Sequence, residues 1–213
     1  MAGSLTLLLP AVGWMAYGAL HSAMISPGAT RFLKARLGGG FRFYRLFFNG
    51  VALLTLIPLV WYSRSLEGPP SFRWQGTLLG VRYALQACGA LLFLAGGLHY
   101  DLKQFVGIGQ LRGPSSGGLA SGGGLDSSGV LGLVRHPWYT GLLLLLWARD
   151  LDAVRAVVSA TLTAYVVVGT LLEERKLVAE FGGAYSCYQA TVSMFLPFKW
   201  LSNRLAAAGR SAG

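Results

Sequence analysis

Residues 135–177 read RHPWYTGLLLLLWARDLDAVRAVVSATLTAYVVVGTLLEERKL, two apolar segments joined by the turn Asp150-Leu151-Asp152 and bracketed by polar clusters. Arg135-His136-Pro137-Trp138-Tyr139 stands before the first segment and Glu173-Glu174-Arg175-Lys176-Leu177 after the second. Charges are costly at the edge of a bilayer, so a hairpin that returns two such clusters to one side marks a candidate site. A third cluster, Gly183, Tyr185, Tyr188, Val192 and Pro197, follows within reach. Pro137, with no amide donor and a preset φ, suits the first turn of a helix. Asp152 suits the N-cap of the helix that starts at Ala153.

The rest of the chain agrees with a membrane hairpin. With 54% apolar and 12% charged residues it is too apolar for an ordinary soluble domain. Leu5 to Ile25, Phe43 to Tyr62, Leu78 to His99 and Ala153 to Leu172 approach the ~20 apolar residues that a spanning helix needs. Trp138 to Trp147 is shorter and covers about half of a ~30 Å hydrocarbon core, so it reads as a partial or tilted span packed on its neighbours. The expected fold is all-α and integral to the membrane, with about five transmembrane helices and a C-terminal hairpin and cytoplasmic tail that form the site. A single membrane domain over residues 1–213 is expected: three helices in 1–100, a flexible loop in 101–130 and the core of the site in 131–200.

The formal charge of +10 raises the question of nucleic acid, but its distribution points to lipid. With the N-terminus outside, the loops at Pro27 to Arg45, Asp101 to Arg135 and Arg175 to Gly213 share one side and hold thirteen Lys and Arg against five elsewhere. That is the positive-inside bias, and it makes the basic loops and both polar clusters cytoplasmic, with no nucleic-acid partner. The N-terminus lacks the basic n-region of a secretory signal and reads as a retained first helix. Cys88 and Cys187 offer no disulfide, and His21, His99 and His136 come from separate segments, so no metal site is expected.

Other features carry less chemistry. His21 and Ser22 near the end of the first helix read as a hydrogen-bonded histidine rather than a substrate contact. The basic run Arg31, Lys34, Arg36, Arg42 and Arg45 reads as a solvated, headgroup-facing connector. Nine glycines between Gly107 and Gly129 argue against a helix there and for a flexible loop, with a mobile lid as the functional alternative. Ala156, Ala160 and Ala164 recur every four residues and read as a close-packing ladder. Helix rise alone puts His136 level with residue 166 and the Glu pair about 10 Å further on, a gap fit for an extended small cofactor. Glu173 and Glu174 point about 100° apart, so one is expected to pair with a base such as Arg135 and the other to face the cavity.

The stretch from Ser128 to Gly141 with its Arg135-His136-Pro137-Trp138-Tyr139, the Glu173-Glu174 pair, Gly182-Gly183-Ala184-Tyr185-Ser186-Cys187-Tyr188 and Phe195-Leu196-Pro197 together resemble the isoprenylcysteine carboxyl methyltransferase and phospholipid methyltransferase superfamily. His21-Ser22, Tyr44 to Asn49 and Asp101 to Gln110 resemble its bacterial branch of methanethiol S-methyltransferases. The resemblance implies an S-adenosylmethionine-dependent membrane methyltransferase, in a bacterial inner membrane, acting on a small thiol such as methanethiol or another membrane-soluble acceptor. Methylation of a lipid amine or an isoprenylcysteine-type carboxylate, or a non-catalytic scaffold that keeps the fold, stay open beside it. It implies a cofactor site of Arg135, His136, Tyr139, Glu173, Glu174, Tyr185 and Tyr188. Arg135 would hold the cofactor's carboxylate, Glu173 or Glu174 its ammonium or ribose, and the two tyrosines its adenine. His136, Tyr139 and Arg135 are then the catalytic candidates, with His136 or water taking the thiol proton.

Overall fold

The computed structural model describes residues 2–98, 102–112, 125 and 127–211. Its helices are α1 (Ala2–Ile25), α2 (Pro27–Leu37), α3 (Tyr44–Ser65), α4 (Leu78–Gly97), α5 (Leu102–Val106), α6 (Pro137–Trp147), α7 (Ala153–Phe181), α8 (Gly183–Thr191) and α9 (Phe198–Ser211). Among the described residues β pairing is limited to two isolated bridges. Leu5–Ile25, Pro27–Ser65, Leu78–Gly97 and Ala153–Phe181 are long and apolar enough to cross a membrane, and α6 is a shorter apolar helix. The chain is an all-α integral membrane protein, as its composition leads one to expect. His99 and most of the glycine-rich stretch read as a loop, 113–124 and 126, lie outside the described residues.

Three elements differ from the sequence reading. The basic connector is helical over α2, because Ser26 accepts from the Ala29 amide as N-cap, Pro27 opens the first turn, and Gly38 at φ 49° closes it. The segment 102–112 also contains α5 and a 3₁₀ turn at Gly109–Arg112. The third difference bears most on the site. α7 does not stop at Leu172 but runs through the Glu pair to Phe181, since residues 173–181 contain no helix breaker. Gly182, at φ 57°, ends it, its amide donating to the Val178 carbonyl. Glu173 and Glu174 are therefore interior helix residues, remote from the terminal dipole.

The packed stripe of α7 is also not the alanine ladder: Ala160 and Ala164 are exposed. Besides Ser159, the residues turned inward are Val154, Val158, Val166, Thr170 and Glu174, and with half-buried Leu162 these form a stripe at a spacing of four. That stripe carries Glu174 into the protein and leaves Glu173 half-buried.

The described helices group into two compact units, one of α1, α2, α3, α5 and α7 up to Tyr165, the other of α4, α6, α7 from Val166, α8 and α9. In the first, Trp14, Val154 and Val158 form a core, and the Trp14 indole donates to Ser63 Oγ at 3.0 Å. Asp152 caps α7 through the Arg155 amide at 3.0 Å, and Arg155 pairs with Glu67. His21 is half-buried, its Nδ1 3.3 Å from the Tyr165 hydroxyl, which also meets Ser22 at 3.0 Å.

The second unit is organised by the contact of α4 with α6. A Cβ on Gly141 would stand 2.7 Å from the Gly89 carbonyl oxygen, and one on Gly96 would stand 2.5 Å from the Trp138 ring. Glycine is what lets these two backbones touch. The Trp138 indole donates to the Phe93 carbonyl at 3.0 Å and Gln86 Nε2 to the Ala148 carbonyl at 2.8 Å, so both ends of the short helix are held. α6 thus stands fixed beside a full span, as its length leads one to expect, and Arg135 and His136 sit directly before its first turn.

Candidate functional site

Everything at the site belongs to the second unit. Just before α6 the chain makes an isolated bridge: Val134 pairs with Ser193 in parallel, the Arg135 amide donates to the Ser193 carbonyl at 2.9 Å, and the His136 amide to the Met194 carbonyl at 3.2 Å. Thr140, one turn into α6, donates its hydroxyl to the His136 and Phe195 carbonyls, both at 3.0 Å. These bonds tie the Arg-His pair to the segment that follows α8.

Arg135 is committed on two sides. Its Nε donates to Glu174 Oε1 at 2.7 Å, while Nη1 donates to the carbonyls of Gln189, at 3.3 Å, and Val192. Those carbonyls belong to the last turn and cap of α8, where a helix has unpaired acceptors and the negative end of its dipole. Arg135 is therefore the C-terminal cap of α8 as well as the ion-pair partner of Glu174, with both side chains only 7% exposed.

Glu174 gathers four donors. Besides Arg135 it accepts from His136 Nε2 at 3.1 Å, the Tyr185 hydroxyl at 3.4 Å and Gln189 Nε2 at 2.9 Å. A buried carboxylate so surrounded is satisfied by the protein itself. Glu173 is less occupied: the Tyr139 hydroxyl donates to its Oε2 at 3.0 Å. His136 stacks on Tyr139 with ring centres 5.6 Å apart. Tyr185 and Tyr188 are buried with Val192 against Leu177, Phe181 and Leu125, and Tyr188 donates to the Leu131 carbonyl at 2.7 Å.

Burial pushes the His136 pKa below the ordinary histidine range, and Arg135 pushes the same way, while Glu173 and Glu174 oppose it. The ring is neutral near pH 7. Burial, and next the Glu174 charge, raise the Tyr185 pKa and keep its phenol protonated. The histidine sets a sign for acid stability. An unfolded chain takes up this proton near pH 6.5, the folded protein only at lower pH, so between those values the unfolded state binds more protons. Stability contributed by the neutral ring is complete above about pH 6.5 and declines as pH falls toward the folded value. The expected result is a Tm that drops between pH 7.5 and 5.5 by more in the wild type than in His136→Gln, read by thermal unfolding in detergent.

Of the residues expected at the site, Arg135, His136, Tyr139, Glu173, Glu174 and Tyr185 meet in one connected set of contacts. Tyr188 lies beside Tyr185, ring centres 5.8 Å apart, with its hydroxyl turned to Leu131. His136 does not sit 10 Å short of the Glu pair but touches it. Residues 148–152 between the helices are not helical, so helix rise alone does not set the register of His136 against the Glu pair. The gap expected between His136 and Glu174 is closed. Gln189, Thr140 and Lys199, whose Nζ donates to the Gln189 carbonyl at 2.6 Å, were not foreseen. Gln189 follows Tyr185 by four residues, and that helical spacing was the available signal for it.

No family model and no solved structure matches the chain. Curated proteins do. Methanethiol S-methyltransferase 2 of Bradyrhizobium diazoefficiens is 31% identical over 151 residues, 68% of this chain and 56% of that protein. Methanethiol S-methyltransferase 1 of the same organism is 30% identical over 156 residues, 70% and 52% of the two chains. Methanethiol S-methyltransferase of Pseudomonas deceptionensis is 44% identical over 66 residues, 30% of this chain and 25% of that protein. The chain spans about half the length of the first two. Fold and site define an all-α membrane protein with a buried Arg–His–Glu cluster at the foot of a helical hairpin. By sequence it is similar to bacterial proteins named methanethiol S-methyltransferase.

Proposed function

We propose that this protein is an S-adenosylmethionine-dependent membrane methyltransferase whose acceptor is a small thiol such as methanethiol. The observation that carries the reading is the joining of Arg135-His136-Tyr139 to Glu173-Glu174 and Tyr185 in one cluster, in a chain homologous to proteins named for thiol methylation. The bacterial relatives suit an inner membrane, and the basic loops argue for the N-terminus outside and the cluster on the cytoplasmic side.

The donor set fits such a cofactor. Its ammonium needs an anionic acceptor, and half-buried Glu173 carries a carboxylate oxygen, Oε1, beyond the one bonded to Tyr139. One turn before Glu174, the Thr170 hydroxyl is fully buried with no hydrogen-bond partner. An orphaned buried hydroxyl is costly to keep and suits a polar ligand edge. Arg135 and Glu174 are occupied with each other, so Glu173, Tyr139 and Thr170 are the residues that would hold the cofactor. Arg135, Glu174, Gln189 and Tyr185 keep that surface in place. When bound, the group supplies an electrophilic methyl on a cationic sulfur. Alignment in an apolar, water-poor site provides much of the rate for such a displacement.

The test is an acceptor screen with radiolabelled donor and purified protein in detergent. Transfer of label to methanethiol, giving a volatile thioether, is the expected result. Label found only in added lipid would replace the thiol by a lipid acceptor, and binding of product without transfer to anything would favour the scaffold.

A further inference from the structure

The pair Glu174–His136 has an arrangement that a cofactor site alone does not require. A carboxylate only accepts hydrogen bonds, so the 3.1 Å contact between Glu174 Oε1 and the His136 ring places the ring hydrogen on Nε2. In the neutral ring Nδ1 then carries a lone pair, and among the described residues the ring's side-chain hydrogen bond is the one made by Nε2. The ring stacks against Tyr139 and lies 6.3 Å from the Phe195 ring, while its backbone is pinned by Met194 and Thr140. The anchoring carboxylate is itself fixed by Arg135 and Gln189. A carboxylate that orients a neutral imidazole and leaves its other nitrogen open is the construction of a general base.

We propose that Nδ1 of His136 takes the proton of the acceptor thiol, with Glu174 as the positioning residue that selects the tautomer and stabilises the imidazolium formed. This deepens the thiol reading above and rests on it. The thiol S–H bond breaks, its proton passes to Nδ1, and the electron pair stays on sulfur. That sulfur bonds the methyl carbon as the donor's carbon–sulfur bond breaks, and the donor leaves as a neutral thioether. The proton later returns to solvent from Nδ1. A base is needed because an alkanethiol, with a pKa about two units above the cysteine value of about 8.5, is almost wholly protonated at neutral pH. The charged groups facing the ring are Glu173 and Glu174, which favour the imidazolium, and Arg135, which opposes it.

The experiment compares two thiols that differ in acidity, methanethiol and a nitro-substituted thiophenol already ionised at pH 7, in the wild type and in His136→Gln. Retained binding of S-adenosylhomocysteine serves as the folding control. The fall in kcat for methanethiol should exceed that for the thiophenol by about 10²-fold or more, the usual contribution of a general base. As a readout apart from turnover, the nitrogen-15 spectrum of the labelled histidine ring at neutral pH should show the hydrogen on Nε2 with Nδ1 bare in the wild type, and a mixture of tautomers in Glu174→Gln. Equal falls for both thiols, or a hydrogen found on Nδ1, overturn the proposal and leave the proton to water. A wild type that methylates neither thiol would end the thiol reading, and the ring's tautomer alone would then decide for or against the base.

Discussion

Glu174→Ala is expected to unfold the C-terminal unit at a temperature well below the wild type and to lose cofactor binding with it. Glu174 and Arg135 are each 7% exposed, and removing one partner of a buried pair costs about 3–5 kcal/mol because the other charge stays behind without compensation. The same change releases His136 Nε2, Gln189 Nε2 and the Tyr185 hydroxyl from their shared acceptor. Glu174→Gln should fall between, since an amide keeps the shape and one acceptor but not the charge. Thermal unfolding in a fixed detergent, followed by helix content, reads both. A Glu174→Ala protein as stable as the wild type would show that the cluster does not hold the unit together.

The second large effect belongs to Gly141. Replacing it by valine puts a Cβ 2.7 Å from the Gly89 carbonyl oxygen and 2.9 Å from the Phe93 ring. The nearest obstruction is backbone, which cannot rotate aside, so α4 and α6 must separate. Overpacking of this kind costs about 1–3 kcal/mol, and here the upper end is expected. α6 begins at Pro137, so the loss should also displace His136 and Tyr139 and weaken ligand binding. Gly169→Ala is the matched control: no atom lies within 4 Å of its added Cβ, and the helix should gain up to about 1 kcal/mol. Equal stabilities for Gly141→Val and Gly169→Ala would mean that the two helices do not pack as described.

The helices were legible because an apolar run of twenty residues has few alternatives to spanning a membrane. Which face of α7 turns inward was not legible. From Ala156 to Leu172 it carries no charged residue on any side, so the stripe Val154, Val158, Leu162, Val166, Thr170 and Glu174 has no charged counterpart to reveal it. The alanine ladder was the more visible pattern and pointed to the wrong face. The residue types of the site were readable from the clustering of Arg135, His136 and the Glu pair. Their division of labour was not, because Arg135 is claimed by the main-chain carbonyls of Gln189 and Val192, and a carbonyl leaves no trace in residue identity. The chain between α6 and α7 is not helical, so helix rise alone could not give the hairpin register, and His136 meets Glu174 where a gap was expected.

As proposed, Glu173, Tyr139 and Thr170 would face a cofactor while Arg135 and Glu174 hold the surface they stand on. Calorimetric titration of detergent-purified wild type and Glu173→Gln with S-adenosylhomocysteine should then show saturable binding that Glu173→Gln weakens about tenfold or more, the loss of one charge-assisted contact, with Tm unchanged. Folded wild-type protein that binds no S-adenosylhomocysteine, or a Glu173→Gln variant that binds it as well as the wild type, would overturn that assignment.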